Sequence, residues 1–102
     1  MGMSAQEMAD TAKRWLEANP GMWEDLVAFA LHETGAKRRF SISEWVEQIR
    51  YRKHAKGVGG FKVVHCIRAV LARLLVREYP EVKPYMSTKK SVLDEEEWEL
   101  RL

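Results

Sequence analysis

Residues 61–80 read FKVVHCIRAVLARLLVREYP, and the apolar side chains of Val63, Ile67, Val70, Leu71, Leu74 and Leu75 recur there at helical spacing. Val64, Cys66 and Val76 carry the apolar surface most of the way around the cylinder, so this helix needs neighbours on several sides. What is left for solvent or a partner is a strip centred on His65, Ala69 and Ala72 and edged by Arg68 and Arg73. A strip of small residues between arginines is the kind of surface that can enter a nucleic-acid groove.

Upstream of this helix the chain carries three shorter helical patterns. Ser4-Ala5-Gln6-Glu7 has the spacing of a capping box, in which serine and glutamate satisfy each other's backbone N–H groups. Ala5, Met8, Ala9, Ala12, Trp15 and Leu16 then share one face of a first helix, with Lys13 and Arg14 towards its C-terminal dipole. Asn19-Pro20 supplies a cap and a first-turn proline for a second helix with Trp23, Leu26, Val27, Ala30 and Leu31 inward, ended by Gly35. So short a link predicts a helical hairpin. Ser41-Ile42-Ser43-Glu44 repeats the capping box, and Ile42, Trp45, Val46 and Ile49 predict a third helix ending near Tyr51. The basic, glycine-rich RKHAKGVGG that follows reads as an exposed loop. Beyond Pro80 and Pro84 the chain is open to loop, extended or short-strand readings, and DEEEWELRL to helix or strand.

At 102 residues, with 46% hydrophobic and 31% charged side chains, the chain has the composition of one globular domain. No apolar run approaches the roughly 20 residues of a membrane span. The N-terminus lacks a signal-peptide pattern, and Gln6 stands where a myristoylation motif needs Ser or Thr. The expected location is cytoplasmic, and Cys66, the single cysteine, has no internal disulfide partner. The net charge of +2 conceals a division: residues 1–36 carry −4, residues 37–93 carry +10 and residues 94–102 carry −4. Positive charge gathered in the middle of the chain suits a polyanion, because neutralising phosphates is the main sequence-independent source of nucleic-acid affinity. The competing reading is a solvated surface whose basic and acidic segments pair within the fold.

Motifs for catalysis are weak. Gly57, Gly59 and Gly60 follow no strand and lack both GxGxxG spacing and a GK[ST] ending. His65 and Cys66 are adjacent on a helix, so their side chains point about 100° apart, and no metal-ligand spacing accompanies them. Glu44, Glu47, Glu24 and Asp25 read as solvated helix faces or partners of helix N-termini. Trp15, Trp23 and Trp45 fall at core positions, whereas Tyr51, Tyr79 and Tyr85 lie near basic residues where they could stack on bases or anchor the domain edge. No cofactor and no enzymatic activity is expected.

Asn19-Pro20 opening a helix, Gly35, Arg39-Phe40-Ser41-Ile42, Glu47, Ile49-Arg50, Phe61-Lys62-Val63, Ala72-Arg73 and Pro80-Glu81 together resemble a group of small bacterial and prophage-encoded proteins of about a hundred residues. The likeness covers residues 15–90. Paired asparagines of that group are Val64 and His65 in this chain, a tryptophan is Tyr51, and an arginine near the end is Lys89 or Lys90. The resemblance implies a phage-linked origin and an all-helical domain, not a reaction.

The expectation is an all-α, compact four-helix domain with helices near 4–18, 20–34, 42–51 and 62–79, residues 1–93 forming the domain and 94–102 an acidic tail. Helices three and four invite a helix-turn-helix-like reading, with a wing if 84–93 forms a hairpin. The first function expected is non-enzymatic nucleic-acid binding, possible partner DNA: Arg38, Arg39, Arg50, Arg52, Lys53 and Lys56 on phosphates, with His65, Arg68, Ala69 and Ala72 facing the groove. The alternative is a protein-interaction module, acting on a phage or host protein or as a homodimer.

Overall fold

The computed structural model describes residues 2–55 and 65–102, and of residues 52–55 the backbone alone. The fold is all-α, with helices α1 (Ala5–Ala18), α2 (Met22–Gly35), α3 (Ile42–Ala55) and α4 (His65–Glu78), followed by short 3-10 helices at Pro80–Tyr85 and Val92–Asp94. The loop glycines, Lys56 and Phe61 to Val64 fall outside the described residues.

The apolar periodicity of α4 places it at the centre, where Ile67, Val70, Leu71, Ala72, Leu74 and Leu75 are all buried. Its most extensive contact is with α1, which buries Ala5, Met8, Ala9 and Ala12. Three alanines on that face let the two helix axes approach closely. The first capping box forms as its spacing predicts: Ser4 Oγ accepts from Glu7 N at 3.2 Å and Glu7 Oε1 accepts from Ser4 N at 3.0 Å.

Asn19 caps the end of α1 instead of the start of α2. Its Nδ2 donates to Trp15 O at 2.9 Å, and the N-cap of α2 is Gly21 in a left-handed conformation, φ 87°. A glycine takes that conformation without the steric cost of a Cβ, so the chain turns there and Pro20 stays outside the helix. α2 then makes its most extensive contact with Pro80–Tyr85, and no close hairpin with α1 forms. Leu26 and Ala30 are its buried residues, while Leu31, expected inside, is exposed.

The exit of α2 depends on Lys37 rather than Gly35. Lys37 N donates to Thr34 O at 3.0 Å and Arg38 N to Glu33 O at 2.9 Å, the paired bonds of a Schellman end, with Lys37 in the left-handed position at φ 57°. Ser41 opens α3 by accepting from Glu44 N at 3.2 Å, and Ile42, Trp45, Val46 and Ile49 are buried as their spacing predicts. The helix runs past Tyr51 to Ala55. Apolar periodicity stops there, but arginine and lysine are good helix formers.

The C-terminal third forms no wing, and its acidic segment packs back onto the domain. Phe40 and Met86 form an isolated parallel bridge, with Phe40 N donating to Tyr85 O at 2.8 Å and Ser87 N to Phe40 O at 3.2 Å; no hairpin occurs in 84–93. Leu93 and Leu100 are buried and Trp98 packs against the core. Glu96 Oε1 accepts from Ala5 N at 2.9 Å, Gln6 Nε2 donates to Glu99 O at 3.0 Å, and Arg77 Nη2 donates to Leu100 O at 2.9 Å. The acidic segment therefore docks on the N-terminus of α1, where a carboxylate faces the positive end of the helix dipole.

Candidate nucleic-acid interface

Beside α4 lies a groove of about 780 Å³, open to solvent, walled by the start of α3 (Ser41 to Ser43) and by residues 87–92. Ala69, Ala72, Met8, Ile42 and Val92 give it an apolar lining, and His65, Arg68, Lys89 and Lys90 line it as well. Small side chains on α4 create the depression, because an alanine at a position where the neighbouring elements stand higher leaves room above its Cβ.

Residues 87–91 form a strap held at both ends. The Phe40 backbone bonds fix the first end. At the other, Ser91 Oγ accepts from Leu93 N at 3.2 Å and Ser91 N donates to Asp94 Oδ2 at 3.1 Å, closing a capping box on Val92–Asp94. Arg73 ties this strap to α4. Its guanidinium meets Asp94 through Nε to Oδ1 at 3.0 Å and Nη2 to Oδ2 at 2.8 Å, donates to Lys89 O at 2.7 Å, and reaches back to Ala69 O at 3.1 Å. The bond from Arg73, foremost, holds the Asp94 carboxyl below its ordinary value of 3.8. On the opposite wall Arg68 Nη1 donates to Ser43 Oγ at 3.2 Å.

His65, Arg68 and Ala69 thus meet in one site, as their helical spacing indicates. Ala72 is there too, but at 3% exposure it is part of the core and cannot serve as an exposed contact. The spacing leaves the strip open to solvent or a partner; in the structure residues 87–92 and the start of α3 line a groove with it. Arg73, expected to edge the strip, is a fastener with a side chain 16% exposed.

The remaining candidates are dispersed. Arg39 Nη2 donates to Ser87 Oγ at 3.4 Å, which puts it at the outer end of the strap. Arg38 pairs with Glu33 at 2.6 Å and Arg50 with Glu47 at 3.1 Å, both away from the groove lining. Arg52 and Lys53 lie on the last turns of α3, and Lys56 is outside the described residues. Tyr79 and Tyr85 pack against the core, whereas Tyr51 is 78% exposed. Lys89, Lys90 and the hydroxyls of Ser87 and Thr88 are the site residues that periodicity misses, since they lie in irregular chain; the polar, basic run STKKS between two apolar stretches was their signal.

No helix among the described residues is long and apolar enough to cross a membrane. The chain has no match among models of known protein families, characterised proteins or solved structures.

Proposed function

We propose that this chain is a small non-enzymatic nucleic-acid-binding protein of phage or prophage type, and that it holds the phosphate backbone at the groove beside α4. The observation that carries this reading is the convergence at one groove of Arg68, from the central helix, with the exposed Lys89 and Lys90, which come from the irregular chain after it. Hydroxyls of Ser41, Ser43, Ser87 and Thr88 line the same groove and add uncharged donors of the kind that fix a phosphate backbone in register. Arg39 extends the basic edge through Ser87. Arg38 and Arg50, each beside a carboxylate, contribute less, because their charge is already balanced within the protein.

The apolar lining of the groove favours a second reading, a protein-interaction module that takes an apolar anchor between basic edges. Fluorescence anisotropy of labelled oligonucleotides against the protein at about 50 mM and about 200 mM salt separates the two, since counterion release makes nucleic-acid affinity fall steeply over that range. Absence of binding at the lower salt leaves the interaction module as the reading.

A further inference from the structure

A helix that reads duplex DNA must project from its protein, because the major groove is about 8.5 Å deep and about 12 Å wide and the helix has to fill it. α4 does the opposite. Its buried residues Ile67, Val70, Leu71, Ala72, Leu74 and Leu75 leave only a narrow face, and that face lines a concavity. Ala69 is half-buried, Ala72 is 3% exposed, and the strap that walls the groove is fastened to α4 itself by Arg73. α4 therefore presents no projecting face with which to fill a major groove.

We infer that the groove beside α4 takes a single unpaired strand of nucleic acid rather than a duplex, with phosphates along the basic edge of Arg68, Lys89 and Lys90 and bases laid on the apolar lining around Ala69. This rests on the nucleic-acid reading above and specifies its ligand. A single strand is narrow and flexible enough to enter a concave site, carries its charge on one side, and turns an apolar base face to the other. The groove holds both chemistries. Its lining joins apolar side chains, of which Ala69 and Val92 are part-exposed, to the cations and hydroxyls of Arg68, Lys89, Lys90, Ser87 and Thr88. Charge complementarity selects a polyanion, the recess selects against a duplex, and the apolar lining distinguishes bases from phosphate alone. Among the described residues the groove lining holds no Phe, Tyr or Trp, so base contact there is by apolar surface.

The test is anisotropy with a labelled mixed-sequence strand of about a dozen nucleotides, free, annealed to its complement, and in an abasic version of equal length and charge. The free strand is expected to bind about tenfold or more tighter than the duplex, and the abasic strand to lose about tenfold relative to the intact one. Duplex binding equal to or tighter than the single strand overturns the inference while leaving the nucleic-acid reading standing. Equal binding of intact and abasic strands, or of a poly-glutamate peptide of matched charge, overturns the role of the apolar lining and with it the inference. Failure of every nucleic acid to bind at about 50 mM salt overturns the nucleic-acid reading and this inference with it.

Discussion

The guanidinium of Arg73 and the carboxylate of Asp94 face each other through two hydrogen bonds, 3.0 and 2.8 Å, and this one pair joins the central helix to the segment carrying Lys89 and Lys90. The same arginine also donates to the Lys89 carbonyl at 2.7 Å, so the position of both lysines at the groove depends on a guanidinium already engaged within the protein. A two-pronged contact fixes direction as well as distance, which a single ammonium would not.

Asp94→Asn therefore loosens the strap without emptying the core. With Asp94 half-exposed, the loss of stability is within about 1 kcal/mol. Its pH dependence is more specific. Both Glu7, held down chiefly by the Ser4 backbone N–H, and Asp94, held down chiefly by Arg73, have folded pKa values below their ordinary 4.5 and 3.8. Their stabilisation is complete above those ordinary values and is lost as pH falls through the lowered ones. Thermal melts from neutral pH downward are expected to show a decline beginning near the ordinary carboxylate range, shallower in Asp94→Asn. A variant with the parent's full acid sensitivity contradicts the role given to this carboxylate.

Trp45 is 1% exposed, and its indole Nε1 donates to Asp25 Oδ2 at 2.7 Å. Asp25→Ala leaves that donor buried among apolar atoms and is expected to lower stability by about 1–3 kcal/mol. Adding Trp45→Phe removes the donor as well, so the double variant loses less than the two single losses combined when measured by urea denaturation. Strict additivity is the outcome that rules the contact out as an energetic link.

Lys37 occupies the left-handed position of a Schellman helix end, where a Cβ is unfavourable by about 1–2 kcal/mol. Lys37→Gly is expected to raise stability by about 1 kcal/mol, partly offset by the greater freedom of glycine in the unfolded chain. Denaturant midpoints measure it; a lower midpoint for Lys37→Gly contradicts the assignment of strain to this residue.

Much of this architecture was legible in the sequence because it is local. The capping box at Ser4, the Ser41 hydroxyl cap, the buried faces of α1 and α3 and the core role of α4 follow from spacing alone. The errors come from relations that spacing does not contain. Asn19 looks like the start of a helix until Gly21 takes the left-handed turn. The acidic C-terminus carries no sign in its spacing that Glu96 meets the open N–H of Ala5. The candidate site was half legible for the same reason: His65, Arg68 and Ala69 share a helical face, but whether that face protrudes or lies in a groove is decided by residues 87–92, distant in sequence and irregular in backbone.

The central claim is that binding belongs to the groove and not to positive charge in general. Lys89→Gln/Lys90→Gln and Arg38→Gln/Arg50→Gln remove the same formal charge, one pair at the groove and the other on exposed residues beside Glu33 and Glu47. The decisive measurement is the affinity of both double variants for one labelled oligonucleotide across a salt series. The groove pair is expected to weaken binding about tenfold or more and to lower the salt slope by about 2, with the Arg38/Arg50 pair close to the parent. Equal losses in the two variants, or the larger loss in the Arg38/Arg50 pair, contradict the account.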